Sequence, residues 1–338
     1  MIGKRILAHA EEASAVSEDQ HGSRKGHTAV MACLNKKLLC DVLRQKKRAG
    51  AVAMNDVKGC YDRISHPIAI LTLMAFGLPQ KVASVLFETL QRAKHFIKTG
   101  YGRSGPDPAY GDREDPLSGI GQGNGLGPAL WALISTQLLL MMAAAGHSVF
   151  LLTSLSLQAI ALVGFAFVDA TDLFSTGKKV DTTGEEMVED FQESLDRWSG
   201  GLIATGGALA PEKSFCYIID FEWTSNQWQY RLINELPDEF TILDYQGQRQ
   251  PLWRFEVDHA DKTLGVYISM DGNEDAELEY LLSMSKTFGS QMKTAKCTKN
   301  IVLYTYNSSF LKSIEYSMAI TQFLEQELIK IISPALVL

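Results

Sequence analysis

The sequence predicts an α+β fold, and three observations carry that reading. Helical and strand patterns alternate along the 338 residues without a regular βαβ cadence. Two short apolar runs, AVAMND (51–56) and GFAFVD (164–169), each end in an aspartate, as buried strands do when they emerge at a sheet edge. Longer stretches carry apolar residues at helical spacing and stop at glycine, as 28–48 does before Gly50.

In order, the pattern predicts a helix over 28–48, a strand over 51–56, and helices over 66–76 and 79–94 joined by Gly77-Leu78-Pro79. Residues 97–116, rich in Gly, Pro and Asp, read as a strand pair or loop. A glycine-rich loop (119–127) opens a long helix (128–145). The run 160–174 reads as two strands turning around Val168-Asp169-Ala170. An amphipathic helix covers 184–204, strands cover 213–220 and 262–268, and the chain is helical from about 275 onward. The domain reading divides the chain into 1–272 and a small helical unit, 273–338.

Composition narrows the function classes. A hydrophobic fraction of 46% and a charged fraction of 21% describe a folded chain with a substantial core. The formal charge of −7 argues against a generic nucleic-acid coat, yet allows basic residues confined to one channel. Lys36-Lys37 and Arg44, Lys46, Lys47 and Arg48 supply such a local excess, or else line a solvated helix face. Five cysteines without a C-x-x-C pair fit reduced thiols in an intracellular protein, nuclear or cytoplasmic, with neither disulfide framework nor zinc site. The N-terminus, MIGKRILAHAEEAS, is too charged for a secretory signal. From Leu117 to Val168 there is no Asp, Glu, Lys or Arg, so a pair of membrane spans is one reading. Polar residues such as Gln137, His147 and Gln158 punctuate the run, and a buried helix followed by buried strands explains the same composition.

The chemistry-bearing residues begin with Asp56 and Asp169. Two carboxylates delivered by strand ends repel unless cations sit between them. Hard oxygen ligands suit Mg²⁺, and two such ions about 4 Å apart are a standard device for in-line displacement at phosphorus. Taken alone the pair is weak evidence, because strand-end aspartates commonly serve as turn residues.

The order of the surrounding blocks adds to it. Gln20-His21-Gly22-Ser23-Arg24-Lys25-Gly26-His27-Thr28 resembles the Q-x-G-F-R-x-G-x-S-T block of reverse transcriptases, with Ser23 in place of the aromatic. Asp56 to Ile64 (DVKGCYDRI) is similar to motif A, and Gly119 to Pro128 (GIGQGNGLGP) to motif B. Phe167-Val168-Asp169-Ala170-Thr171 lies where motif C is expected. Gly207 to Ser214 (GALAPEKS) looks like the end of motif D, and Thr263-Leu264-Gly265-Val266 like motif E. Six blocks in this order identify the chain as resembling the reverse transcriptases of non-LTR retrotransposons, over most of its length.

The resemblance implies a right-hand polymerase palm, an antiparallel sheet packed on helices, with partial fingers and a helical thumb-like C-terminal segment. It implies RNA-directed DNA polymerase activity, with an RNA template, a DNA primer and deoxynucleoside triphosphates as partners and no membrane partner. Asp56, Asp169 and the Val57 carbonyl would hold two Mg²⁺ ions, with Mn²⁺ as a substitute. Tyr61 would lie beneath the incoming sugar and collide with a 2′-OH; a buried strand-end tyrosine is the plainer reading. Gln122 and Gly123 would approach nucleotide or template, with Val168 beside them in the substrate site. Lys213 would donate a proton to the departing pyrophosphate, or is a solvated lysine near a strand start. Arg24 and Gln20 would contact template or primer backbone, or pin the following helix to the palm.

Two departures stand out. Gly121 replaces the arginine usual before Gln122, and Ala170 replaces the second motif C aspartate; alanine cannot bind a cation. Asp172 shares that side of the strand but lies about 6–7 Å further along. The chain also begins after the stretch where the family's fingers hold a basic residue for the triphosphate, so the expectation is a fragment lacking the N-terminal fingers.

Overall fold

The computed structural model describes residues 2–93, 96, 98–103, 105, 119–121, 123–152, 158–177, 182–236 and 239–336. They form two compact units. One comprises Met1–Gly26, Ala51–Cys216 and Asp238–Arg254; the other comprises His27–Gly50, Tyr217–Pro237 and Phe255–Leu338.

Helix α1 (Ile2–Glu12) comes first, followed by α2 (Ala29–Lys46), whose Thr28 hydroxyl accepts the Met31 amide at 3.2 Å. Strand β1 (Gly50–Asp56) precedes α3 (His66–Ala75), which carries a proline in its first turn, and α4 (Gln80–Gln91). Short strands β2 (Lys98–Thr99) and β3 (Gly102–Arg103) pair ahead of α5 (Gly127–Ala144). A hairpin of β4 (Val149–Leu152) and β5 (Ala159–Leu162) leads into β6 (Gly164–Phe167) and β7 (Ala170–Ser175). Helix α6 (Gly184–Ala204) starts at a capping box, in which Thr183 and Glu186 each bond the other's amide at 3.2 Å.

A single 3₁₀ turn (Pro211–Lys213) is followed by β8 (Phe215–Ile219), β9 (Phe221–Thr224), β10 (Gln227–Tyr230), β11 (Phe240–Leu243) and β12 (Arg249–Phe255). The hairpin of β13 (Asp261–Thr263) and β14 (Val266–Ile268) turns through Leu264 and Gly265, both at positive φ. Helices α7 (Asp275–Thr294), α8 (Lys299–Thr305), α9 (Leu311–Met318) and α10 (Glu325–Leu336) close the chain.

Among the described residues a six-stranded sheet runs in the order β11-β12-β8-β1-β7-β6. The fold is therefore α+β as expected, with antiparallel β1–β7 and β6–β7 pairs packed on helices. Strand β1 is central, and its residues Ala51–Asn55 are all buried, which is why it reads as a continuous apolar run. Helix α6 packs on β7 and β11, and α5 packs on α1, α3 and α6. Helix α5 is long and apolar enough to cross a membrane by length and composition, and 67% of it is buried inside the fold.

The expectation of buried strands after that helix holds for β6 and β7 but fails for the hairpin β4–β5. There Phe150, Leu152 and Ile160 are exposed, because among the described residues the hairpin pairs only with itself. Most of the 97–116 segment lies outside the described residues.

In the second unit, Leu281, Phe310, Ile314, Ile331 and Ala335 form the core under α7 and α10. Its basic runs serve the fold. Lys36 is fully buried with its ammonium on Thr263 Oγ1 at 3.0 Å, and Lys37 bonds the Ile320 carbonyl at 3.0 Å and pairs with Glu274. Arg44 pairs with Asp41 at 2.7 Å, and Lys47 lies 4.8 Å from the centre of the Phe221 ring. These four side chains bond within the unit, while Lys46 of the same run is exposed.

Candidate active site

The candidate site grows from the paired ends of β1 and β7. Asp56 closes β1 directly opposite Ala170, the first residue of β7. The next amide, that of Val57, donates to the Asp169 carbonyl at 2.9 Å. Asp56 is half-buried and Asp169 is exposed, so both strand-end acids stand at one edge of the sheet.

The turn that carries Asp169 is strained. Val168 sits at φ 58°, a left-handed conformation that a β-branched residue adopts only when its surroundings impose it. Trp131, buried in α5, donates its indole N–H to the Val168 carbonyl. On the other side the chain passes so close at Gly22 that a Cβ there would stand 2.6 Å from the Val168 amide. The glycine of the Q-x-G block thus makes room for the Asp169 turn.

The segment 208–214 clamps the other side of Asp56. Lys58 donates to the Ala208 carbonyl and Ala210 to the Asp56 carbonyl, each at 2.9 Å. The Asp56 amide donates to Ser214 Oγ at 3.2 Å. This places Lys213, its side chain 65% exposed, with Nζ 3.8 Å from Asp56 Oδ1. Burial pushes the Asp56 carboxyl above the usual range; Lys213 opposes that shift, while Asp169 and Glu212 add to it.

Tyr61 lies in the turn after β1, and its carbonyl accepts the Ile120 amide at 2.7 Å. Its phenol is pushed up to about 12 by burial first, then by Cys60 and Asp169. The ring packs over the start of α5, where a Cβ on Gly127 would be 3.3 Å from Tyr61 Cδ1. The turn after β1 and the start of α5 are therefore in direct contact.

Among the described residues no further carboxylate of β7 joins Asp56 and Asp169. Asp172 is buried in β7, opposite Met54 and Phe165, two residues inside the sheet from Ala170. Among the described residues no group of three or more His, Cys, Asp or Glu side chains is placed to hold a metal. The donor chemistry at Asp56 and Asp169 fits one hard divalent cation shared between two carboxylates.

Other expected site residues separate into distinct groups. Gly123 is exposed with φ 91°, a conformation that favours glycine; Gln122 lies outside the described residues. Gln20 and Arg24 make their hydrogen bonds inside the fold. Gln20 is fully buried, its amide N–H₂ on Ser135 Oγ of α5 and its carbonyl oxygen accepting the Gly22 amide at 2.7 Å. Arg24 donates to the Ser17 and Gln20 carbonyls at 2.8 and 3.0 Å and pairs with Glu11 of α1 at 3.3 Å. With both ends satisfied inside the fold, they pin the Q-x-G loop to α5 and α1.

Three contributors escaped the sequence reading. Trp131 and Gly22 hold the Asp169 turn. His66, buried at the start of α3, holds the motif B loop: its Nε2 donates to the Gly119 carbonyl at 2.6 Å while Gln91 donates to its Nδ1 at 3.1 Å. A Ser-His-Pro helix start signals a cap; nothing in it signals a bond to a loop 53 residues away.

No protein-family model and no curated protein matches the chain. Solved structures do. Telomerase from Candida tropicalis in complex with a TWJ fragment of telomeric RNA gives a TM-score of 0.44 at 13% identity, over 94% of this chain and 44% of that one. Telomerase from Candida albicans with the same type of RNA fragment gives 0.42 at 12%, over 99% and 50%. Apo Candida tropicalis telomerase truncated from its C-terminal domain gives 0.40 at 13%, over 74% and 44%. The chain spans about half the length of the structures it matches.

Proposed function

We propose that this chain is the palm-centred core of an RNA-directed DNA polymerase of the reverse transcriptase type, akin to those of non-LTR retrotransposons. In this reading residues 1–272 are partial fingers and palm, and 273–338 a thumb-like segment. The observation that carries it is the convergence of Asp56 and Asp169 through the Val57–Asp169 hydrogen bond and the Asp56–Ala170 register. Six family-like blocks in order supply the rest of the support.

Asp56 and Asp169, with the Val57 carbonyl, would hold Mg²⁺, or Mn²⁺ in its place. When bound, such ions neutralise charge at the α-phosphate and lower the barrier to attack by a primer 3′-hydroxyl. The chain's own residues orient and protonate. Lys213, beside Asp56 and open to solvent, gives a proton to the departing pyrophosphate. Tyr61, packed over Gly127, presents its ring to the sugar and excludes a 2′-OH. Gly123 lets backbone approach the nucleotide with Gln122 beside it, and Val168 fixes the orientation of Asp169.

A second reading, a palm that binds RNA template and DNA primer without copying them, is favoured by one observation: Ala170 leaves two carboxylates where charge balance for two divalent ions asks for three. Primer extension on poly(rA)/oligo(dT) with Mg²⁺ or Mn²⁺ separates the two. Incorporation of dTTP that Asp56→Asn abolishes supports the polymerase. Binding without incorporation in either metal supports the second reading.

A further inference from the structure

The loop that follows Asp56 meets a hairpin that the sequence blocks do not account for. Between Gly59 and Arg63 the chain turns back on itself, the Asp62 and Arg63 amides donating to the Gly59 carbonyl at 2.9 and 3.1 Å. Lys58 and Arg63 both reach the ring of Tyr245: Lys58 Nζ is 5.7 Å and Arg63 Cζ 5.5 Å from its centre. Tyr245 is 52% exposed at the tip of the β11–β12 hairpin.

That tip is built. The Asp244 carboxylate accepts the Gln246 and Gln248 amides at 2.8 and 2.9 Å and the Gln250 side chain at 2.9 Å. The hairpin is bolted to α6 by Gln192, which bonds both the N–H and the C=O of Thr241, and by Asp196, which takes a two-pronged bond from Arg249 at 2.7 and 2.8 Å. Two cations are thus held by an aromatic ring on a rigid support, two and seven residues beyond Asp56. Arg63 Nε is buried with no hydrogen-bond partner among the described residues. In a chain of net charge −7, two cations without a carboxylate partner among the described residues stand ready for an anion from outside.

We propose that Lys58 and Arg63, held against Tyr245, form a phosphate-binding patch for the backbone of a single-stranded nucleic acid beside Asp56 and Asp169. The patch rests on the proposed polymerase function for its choice of ligand, since a strand engaged at the two acids must run its phosphates over adjoining surface. Strand backbone is favoured over a free triphosphate because these two cations meet the Tyr245 ring on the hairpin, whereas the cation beside Asp56 is Lys213.

The test is the salt dependence of binding of a fluorescein-labelled oligo(dT) strand, followed by anisotropy without metal or nucleotide. Each lost phosphate contact lowers the slope of log K against log salt by about 0.7 for a single strand, so Lys58→Ala/Arg63→Ala should lower it by about 1.4. Lys58→Gln/Arg63→Gln, which keeps side-chain bulk, should give the same loss. Tyr245→Phe should leave affinity and slope unchanged, while Tyr245→Ala weakens binding. Lys81→Ala/Arg92→Ala, removing two cations elsewhere, should leave the slope as it is.

A folded double variant that keeps the parent slope overturns the patch, as does a parent chain that does not bind the strand. A change confined to dTTP affinity, measured by calorimetry, overturns it in favour of a triphosphate site. Primer extension is scored separately: loss of slope in a chain that never extends a primer leaves the patch standing and removes the polymerase.

Discussion

The Val57 amide donates to the Asp169 carbonyl at 2.9 Å, and this one bond joins two residues 112 positions apart. It fixes the strand carrying Asp56 against the turn carrying Asp169, so the spacing of the acids is set by backbone rather than by side-chain rotamers. The same register puts the methyl of Ala170 directly across from Asp56.

On the proposed function, adding a carboxylate at Ala170 should raise activity. Ala170 is the first residue of β7 rather than the tip of the turn, and it is partly exposed, so Ala170→Asp adds an acid without overpacking. Misplacement of a reacting group by about 1 Å costs roughly 100-fold in rate. Ala170→Asp should therefore increase primer extension at least tenfold at matched Mg²⁺, with an unchanged melting temperature. Equal extension by both proteins would show that the third acid is not needed here.

Sugar selection should follow the Tyr61 ring. In an Ala170→Asp background, Tyr61→Ala and Tyr61→Val should admit ribonucleotides while sparing most deoxynucleotide use. The readout is the ratio of dTTP to UTP incorporation on poly(rA). An unchanged ratio would reduce the ring to packing over Gly127.

Gln20 and Arg24 should behave as structural residues. Gln20→Ala strands the Gly22 amide in a buried setting, at a cost of about 1–3 kcal/mol, while Ser135 keeps its bond to the Trp131 carbonyl. Arg24→Ala removes the donors to the Ser17 and Gln20 carbonyls. Both variants should melt earlier in urea while keeping parental affinity for single-stranded DNA. Weakened binding at parental stability would return them to the nucleic-acid surface.

Asp19 gives a pH dependence. Burial raises its carboxyl to about 6, although the Val163 amide donates to it at 2.8 Å. The folded state holds this proton more tightly than the unfolded state does. The favourable contribution is thus full below about pH 4 and is lost as pH rises through about 6. Asp19→Asn keeps an acceptor for Val163 and removes the charge. It should stabilise the protein by up to about 2 kcal/mol at pH 8 and by little at pH 4. Denaturant melts of both proteins at the two pH values provide the check; a parallel shift at both would sink the argument.

The sequence by itself determined the α+β class, the helix over 184–204, the turn between the strands at 164–175 and the two aspartates at strand ends. These are local properties: apolar periodicity, a capping box at Thr183, and a buried run broken by an acid. It also determined what the site lacks, because no folding supplies a carboxylate at Ala170. Only the tertiary structure decided which polar groups face outward. Gln20, Arg24 and Lys36 look available in sequence, but burying any of them requires partners, and Ser135, Ser17 and Thr263 lie far along the chain or on other elements. The same holds for Tyr245. Nothing within its own hairpin places it against Lys58 and Arg63; the register of β12 in the sheet and the clamp of the hairpin on α6 do so, and such pairings leave no periodic trace in sequence.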